Sequence, residues 1–152
     1  MDRVTDVAAA VESTVDALVS VLDAADQAQN PSVPPAQLRV LAIVAQNQHT
    51  NMSRLAEALE VVPSSASRLC DRLEATGLLR RVPDPRDRRE VRLLLTASAR
   101  KLLDQLRERR RKALADVLDR MSAGDRQELV HSLRAFAEAA AGESENEALR
   151  TA

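Results

Sequence analysis

The chain is almost free of aromatic residues, since its 152 residues include one Phe, no Trp and no Tyr. A core built from Leu, Val and Ala instead favours helices. The single cysteine excludes an intrachain disulfide framework. No apolar run approaches the ~20 residues of a membrane-spanning helix, and no signal peptide is apparent. These absences predict one mainly helical domain in a cytoplasmic protein.

Glycine is also scarce, with three residues in the whole chain, which leaves little for a phosphate-binding loop. No Ser–His–Asp or Cys–His arrangement of a nucleophilic enzyme is apparent. His49 and His131 lie far apart with no Cys beside either, whereas zinc needs four ligands at close spacing. The sequence therefore predicts neither an enzyme nor a metal site, and it indicates no cofactor.

The charges are unevenly distributed along the chain. The net charge of −1 would argue against a nucleic-acid partner if the charges were evenly spread. However, residues 1–50 contain two arginines against six acids, whereas residues 80–92 contain six arginines. Local charge decides an electrostatic footprint, so a nucleic-acid partner stays open.

Two predicted helices with a short turn between them follow residue 50. The first, Met52–Leu59, has apolar residues at the spacing of one helix face, and Asn51 before it is a suitable N-cap. Pro63 suits the first position of the second helix, and Gly77 suits its end, where a positive φ is needed. The pair predicts a helix-turn-helix, whose second helix, residues 63–76, we name the recognition helix.

The recognition helix has one apolar and one polar face. Its apolar residues repeat at helical spacing and are predicted to enter the core: Ala66, Leu69, Cys70 and Leu73. Off this stripe, short hydroxyls stand beside long guanidinium donors, a combination that suits base edges in a major groove. The DNA contacts predicted for this helix are Ser64, Ser65, Ser67, Arg68 and Arg72.

A β-hairpin is predicted after the recognition helix, over residues 78–95, and we name it the wing. Two β-prone runs flank the loop PDPRDRRE, whose prolines and charges must project into water. Its arginines are placed to reach phosphates or a minor groove. Asp87 is predicted to hold a neighbouring guanidinium by a charge-assisted hydrogen bond. The DNA contacts predicted for the loop are Arg86, Arg88 and Arg89.

These elements resemble the winged helix-turn-helix of the MarR family, the multiple-antibiotic-resistance-type bacterial regulators. Four ordered signatures are similar: L-A-x-x-L from Leu55, P-S-x-x-S-R-L from Pro63, D-R-L-E-x-x-G-L from Asp71 and D-x-R-x-x-x-x-x-L-T from Asp87. Val62 departs from the pattern, which usually has a Ser cap there, so the recognition helix is predicted to lack a side-chain N-cap. The resemblance covers nearly the whole chain. It implies a repressor that binds double-stranded DNA as a homodimer, at a pseudo-palindromic operator.

Long amphipathic segments flank the winged unit at residues 5–28 and 97–121, and Ser122 is predicted to cap a last helix. Together they offer more apolar surface than one chain can hide, which predicts dimerisation through them. The predicted fold is mainly α (α+β) and forms one domain over residues 1–152. Its parts are the winged helix-turn-helix at 34–96, dimerisation helices at 1–30 and 97–141, and a flexible tail at 142–152.

The resemblance also implies an effector, a small anionic or aromatic molecule that binds between the dimer helices and the winged domain. Without Trp or Tyr to stack on such a ligand, the pocket is predicted to be aliphatic. A linker at residues 27–33 leads to a helix that begins at Pro34–Pro35. Arg39 in that helix is the predicted contact for an anionic effector.

Three features allow a second interpretation. Cys70 would be a redox-sensing thiol if it were accessible, but its place on the apolar stripe favours a buried core residue. The basic run 107–112 would contact phosphate, but the spacing of Glu108 and Lys112 favours a solvated helix face. A winged helix also serves as an antirepressor-like protein-interaction module without DNA binding. The arginine-rich wing favours the DNA-binding alternative.

Overall fold

The computed structural model describes residues 3–27, 33–47, 49–87 and 89–150, with side chains as far as residue 142. Helices dominate these ranges, and the one sheet among them is a two-stranded antiparallel hairpin, so the predicted fold class is confirmed. The elements are α1 Val4–Gln27, α2 Pro35–Gln46, α3 Met52–Leu59, α4 Pro63–Ala75, β1 Leu79–Pro83, β2 Val91–Leu95, α5 Ala97–Leu118 and α6 Ala123–Arg150. Most of the predicted linker, residues 28–32, lies outside the described residues.

The chain divides into two compact units, one up to Arg111 and the other from Lys112 onward. This boundary falls inside α5, and the division at residues 96–97 between a winged part and a dimerisation part stays a prediction. The first half of α5 belongs to the first unit because it buries Ala99, Leu103 and Leu106. No later residue of α5 is buried, and neither is any described side chain of α6.

The core of the first unit is aliphatic, as the composition predicts. Helices α2 to α5 and both strands contribute to it, whereas α1 buries Ala25 alone. The buried cluster consists of Val40, Leu41, Val44, Leu55, Ala56, Leu59, Ala66, Cys70, Leu73, Leu79, Leu93, Ala99 and Leu103. Burial of these side chains is the main force that holds the helix-turn-helix and the wing together.

The predicted helix ends are confirmed where neighbouring residues determine them. Asn51 Oδ1 accepts the backbone N–H of Arg54 at 2.9 Å and caps α3. Gly77 follows α4 with a φ of +73°, a conformation that costs little without a Cβ. The left-handed residue that ends α3 was not predicted. Glu60 caps it with a φ of 56°, and a side chain in this left-handed region costs ~1–2 kcal/mol.

The wing pairs in one antiparallel register, from Leu79 opposite Leu95 to Pro83 opposite Val91. The chain before α3 extends this pairing, because the Leu93 N–H donates to the Thr50 carbonyl at 3.0 Å. Asn51 then forms an isolated bridge with Arg92. The start of the helix-turn-helix is therefore bonded directly to β2.

In the second unit, Ser122 Oγ accepts the Asp125 N–H at 3.1 Å, which confirms the predicted cap of α6. The helix continues to Arg150, so the backbone of the segment predicted as a tail is helical up to that residue. Residues 143–150 contain no Pro or Gly, and six of the eight are good helix formers: three Glu, one Ala, one Leu and one Arg. Residues 151 and 152 lie outside the described ranges.

Candidate nucleic-acid interface

The recognition helix, α4, is set on the protein by its apolar face. Ala66, Cys70 and Leu73 are buried, as predicted, and Leu69 is half-buried. Val62 gives no side-chain cap, also as predicted, and Pro63 occupies the first turn. With this face fixed against the core, the opposite side of α4 must point away from the protein.

Three of the five predicted contact residues of α4 share that outer side. Ser64, Arg68 and Arg72 are exposed and spaced by four residues, so they form one row along the helix. No hydrogen bond or ion pair engages the two guanidinium groups within the ranges that the structure describes. They are therefore available to an external partner. Ser65 is half-buried at the edge of this row.

Ser67 lies outside this row, and its predicted DNA contact stays a prediction. It lies on the flank of α4 that faces β1, where Arg81 Nη2 donates to its hydroxyl and to its carbonyl, both at 3.2 Å. The hydroxyl is therefore already used as an acceptor inside the protein. Helical spacing alone separates core from non-core positions, and it does not show which non-core flank a neighbouring strand covers.

Arg81 has the densest polar contacts among the described side chains, and the sequence does not single it out. Its Nη1 contacts Asp71 Oδ1 at 2.6 Å and Glu74 Oε2 at 2.5 Å, and its backbone N–H donates to Glu74 Oε1 at 3.0 Å. Burial lowers the pKa of Arg81, but the hydrogen bond to Asp71 and the charge of Glu74 raise it above its usual value. The base of the wing is thus joined to the recognition helix by charge-assisted bonds.

The loop of the wing is shaped by Asp84. Its Oδ1 accepts the Arg86 backbone N–H at 2.7 Å, its own N–H donates to the Glu90 carbonyl at 2.9 Å, and Arg92 Nε lies 3.9 Å from its Oδ2. The bond from the Arg86 N–H is the main cause that holds the pKa of Asp84 below its usual range. This role of Asp84 was not predicted, although Asp followed by Pro is a turn signal.

Asp87 supports the backbone of the loop, and its predicted contact with a neighbouring guanidinium stays a prediction, since Arg88 lies outside the described residues. Its Oδ1 accepts the backbone N–H of Arg89 at 2.9 Å, and its carbonyl accepts the N–H of Glu90 at 3.0 Å. In the described part of the loop its carboxylate therefore closes a turn of the backbone and holds no guanidinium. A short acidic side chain two residues before an N–H commonly makes this turn.

Two of the three predicted wing arginines are placed at the surface. Arg86 and Arg89 are exposed, and their guanidinium groups make no hydrogen bond or ion pair with any residue that the structure describes. Arg88 lies outside the described residues. The loop thus presents at least two cations to solvent, on the same unit as the row of α4.

A second connection links the wing to α3. Asn51 Nδ2 donates to Glu90 Oε2 at 3.2 Å, while the Oδ1 of the same side chain caps α3. At the other end of the wing, Thr96 Oγ1 donates to the Gly77 carbonyl at 2.7 Å and accepts the Ala99 N–H at 3.2 Å. The Asn51–Glu90 and Thr96–Gly77 bonds join residues far apart in the sequence, which explains why local patterns did not predict them.

A cavity of about 720 Å³ lies in the first unit between α1, α2 and α5. Leu38, Ala42, Leu103 and Leu106 form an aliphatic part of its wall, and the remainder of the wall is largely polar. The predicted effector contact, Arg39, lines this cavity, and its Nη2 lies 3.4 Å from the Ala58 carbonyl. Four further charged residues of the wall were not predicted: Asp23, Asp26, Arg107 and Arg110.

The alternative interpretations are resolved in part by the geometry. Cys70 is fully buried, and burial raises its pKa to about 11, so it is a poor thiolate at neutral pH. Most of the basic run pairs with nearby acids: Arg107 with Asp104, Arg110 with Asp26, Arg111 with Glu108 and Lys112 with Asp116. The expected pair between Glu108 and Lys112 does not form in this arrangement, because each has another partner.

The described side chains contain no cluster of three or more His, Cys, Asp and Glu that would suit a metal ion. None of the helices in the described ranges combines the length and hydropathy that crossing a bilayer requires. What the first unit does present is a helix-turn-helix with a free basic row, followed by a basic hairpin. This architecture defines a winged-helix DNA-binding protein.

Comparison with known proteins agrees with this class. A sequence model described as MarR family matches residues 32–90. The HTH-type transcriptional repressor MdtR of Bacillus subtilis (strain 168) is 30% identical over 112 residues, which cover 74% of this chain and 72% of that protein. The chain belongs to the MarR family of transcription regulators, which bind DNA and are not enzymes.

Two solved structures extend the similarity to nearly the full length. RV1404 from Mycobacterium tuberculosis has a TM-score of 0.81 and 30% identity, over 93% of this chain and 96% of that one. The YusO protein from Bacillus subtilis has a TM-score of 0.69 and 26% identity, over 90% and 95% respectively. The likeness therefore includes the flanking helices as well as the winged helix-turn-helix.

Proposed function

We propose that the chain is a cytoplasmic, ligand-responsive repressor that binds a pseudo-palindromic operator as a homodimer. The observation that carries the proposal is the free basic surface of the first unit. Arg68 and Arg72 on α4 and Arg86 and Arg89 on the wing are all exposed, and the structure gives their guanidinium groups no partner among the described residues. Such groups suit phosphates and base edges.

The two halves of this surface would act differently on DNA. The row Ser64, Arg68 and Arg72 lies on a helix thin enough for the major groove, where bidentate guanidinium contacts discriminate bases. The wing loop would reach the adjacent minor groove, where width and charge are read more than base identity. Arg88 belongs with the wing in this proposal because it stands between its two exposed neighbours in the sequence. Ser65 is secondary because it is half-buried at the edge of the row, and Ser67 is secondary because Arg81 already donates to its hydroxyl.

Dimerisation is supported by the uncovered apolar faces of two helices. Among the valines of α1, Val7, Val11 and Val15 are 49%, 42% and 43% exposed, and they fall on one side of the helix. In the second unit, α6 leaves Leu133 and Phe136 46% and 66% exposed. Faces of this extent on a single chain mark interaction surfaces. A two-fold dimer would then require half-sites about one helical turn apart.

The proposed effector site is the cavity of about 720 Å³, a volume within the range of small-molecule sites. Its aliphatic wall suits the apolar body of a ligand, and Arg39, Arg107 and Arg110 suit an anionic group. Asp26 pairs with Arg110 and Asp104 pairs with Arg107, whereas Arg39 makes no ion pair among the described residues, so Arg39 is the main candidate to bind a carboxylate. The class that fits is a small amphiphilic anion.

The alternative is a protein-interaction module of the antirepressor kind. A module of that kind would have no use for exposed, unpaired arginines on both the helix and the wing. The test is fluorescence anisotropy with duplexes that tile the DNA next to the protein's own coding sequence, with scrambled duplexes of equal composition as controls. We expect one duplex to bind with a stoichiometry of two chains. No binding to any duplex would favour the protein-interaction module, and equal affinity for all duplexes would contradict a sequence-specific operator.

A further inference from the structure

Arg81 and Glu74 join the wing to the recognition helix at the backbone as well as at the side chains. Glu74 lies in the last turn of α4, and Arg81 is the middle residue of β1. One Glu74 oxygen accepts the backbone N–H of Arg81 at 3.0 Å, and the other accepts Nη1 of the same residue at 2.5 Å. Because one of the two bonds goes to the main chain, it fixes the strand itself.

The Arg81 guanidinium then spans much of the recognition helix. Its acceptors are Ser67, Asp71 and Glu74, which repeat at intervals of four and three residues and so lie in one line along the flank of α4. We name this set with Arg81 the clasp. Sliding β1 along α4, or rotating it away, would break bonds at several points of the clasp at once.

The charged groups of Arg81 and Glu74 are mainly engaged within the protein. The Arg81 side chain is 25% exposed and that of Glu74 33%, and the guanidinium donors point to acceptors of α4. The exposed row of α4, by contrast, starts from Ser64 on another side of the helix. Arg81 is thus directed toward the helix flank, and its contribution to DNA binding must act through the residues that it holds in place.

We propose that Glu74 and Arg81 are positioning residues for DNA binding, which fix the spacing between the recognition helix and the wing so that both contact one duplex. This inference rests on the proposed function, because it assumes that α4 and the wing are the DNA-binding elements. The clasp contributes by preorganisation. A wing that is already placed loses less conformational freedom when DNA binds than one that must be ordered at that moment.

The sign of the Glu74 charge makes the proposal testable. An acid beside a DNA-binding surface repels phosphate, so electrostatics alone predicts that its removal strengthens binding. The clasp predicts the opposite, because removal of Glu74 releases the wing. Glu57 on α3 is exposed and lies outside the clasp, so Glu57→Ala is the matched control for Glu74→Ala. Alanine is the best helix former, so neither change weakens its helix.

The experiment measures the affinity of both variants for the duplex that the wild type binds, at several salt concentrations. We expect Glu74→Ala to weaken binding about tenfold and to lower the salt slope by ~1–2, since up to two wing arginines lose their phosphates. Glu57→Ala should bind as tightly as the wild type or more tightly. A smaller folded fraction would weaken binding equally at every salt concentration, so the change in slope separates positioning from simple destabilisation.

A second comparison uses the wing itself. Arg89→Ala should cost less affinity in the Glu74→Ala background than in the wild type, because a released wing no longer delivers Arg89 to the duplex. If Glu74→Ala is unfolded at the assay temperature, Asp71→Ala replaces it. Asp71 is also an acid of the clasp, so its removal should weaken DNA binding, and its side chain is 61% exposed, so the loss of stability should be small. Unchanged or tighter binding by the folded variant, or additive costs with Arg89→Ala, would overturn the positioning role. DNA binding by the wild type would still stand, whereas a wild type that binds no duplex would refute the proposed function.

Discussion

Arg110 and Asp26 form two parallel hydrogen bonds, from Nε to Oδ1 at 2.7 Å and from Nη2 to Oδ2 at 2.6 Å. The pair joins α5 to α1 within the first unit, at the wall of the cavity. The hydrogen bond to Asp26 is the main cause that raises the pKa of Arg110 above its usual value. Since α1 buries Ala25 alone, this pair is a principal attachment of α1 to the unit.

We expect Asp26→Asn to lower the free energy of unfolding by ~1 kcal/mol. The bidentate geometry favours a larger effect, but Arg110 is 42% exposed, and water screens an ion pair of this kind. The matched control is Asp23→Asn, since Asp23 lies one turn earlier on the same helix and acts on Arg110 through its charge alone. Thermal unfolding should show a fall of about 2–4 °C for Asp26→Asn and a smaller one for the control. Equal shifts would mean that only the charge of the region matters.

We expect the protein to be a dimer in dilute solution, because α1 exposes a continuous apolar face. Val11→Asp places a charge on that face and should shift the population toward monomer, since an unpaired charge is costly in an apolar interface. Ser13→Asp adds the same charge to the opposite side of α1 and should leave the dimer intact. Light scattering at micromolar concentration measures both. A stable wild-type monomer would contradict the proposal.

We expect Cys70→Ser to leave operator affinity and the response to mild peroxide almost unchanged. With a pKa of about 11, roughly one thiol in ten thousand is ionised at pH 7, and the fully buried sulfur is shielded from oxidant. The buried hydroxyl should lower the free energy of unfolding by about 1–3 kcal/mol, so assays need a temperature at which both proteins are folded. If peroxide releases DNA from the wild type and not from the variant, Cys70 is a redox switch after all.

The recognition helix and the wing should differ in how their arginines contribute. Arg68 stands in the middle of the exposed row of α4, so Arg68→Ala should cost about 1–3 kcal/mol of binding free energy and relax the sequence preference. Arg89 in the wing loop should contact phosphate groups more than base edges. Arg89→Ala should therefore weaken binding to operator and scrambled duplexes together, and lower the salt slope by about 1.

Titration of both variants against operator and scrambled duplexes at several salt concentrations checks this division. Glu60→Ala, at the exposed end of α3, serves as the control substitution outside the basic surface. If Arg89→Ala binds both duplexes like the wild type at every salt concentration, the wing does not touch DNA. The protein-interaction module would then be the better proposal.

The features predicted from the sequence are those that neighbouring residues determine. Residues within four positions determine three of these features: the cap at Asn51, the positive φ of Gly77 and the cap at Ser122. The buried face of α4 was also predictable, because helical spacing sets which side chains point the same way.

The contacts that the sequence did not predict connect residues distant along the chain. Glu90 meets Asn51 across 39 positions, and Arg110 meets Asp26 across 84. Ser67 was assigned to the DNA-facing row because its type and its distance from the core stripe suited that role. Its actual flank is covered by Arg81, and only the packing of β1 against α4 decides this. Tertiary contacts of this kind leave no periodic signal in a single sequence.

The separation of charge between α1 and the wing has a kinetic consequence. The residues of α1 include five acids and no base, the wing is rich in arginine, and the net charge is −1. DNA phosphates would repel the acids of α1 and attract the arginines of the wing, so the polyanion would rotate the approaching first unit during diffusional encounter. Productive collisions would then be selected by orientation, and the association rate constant should fall steeply as ionic strength rises.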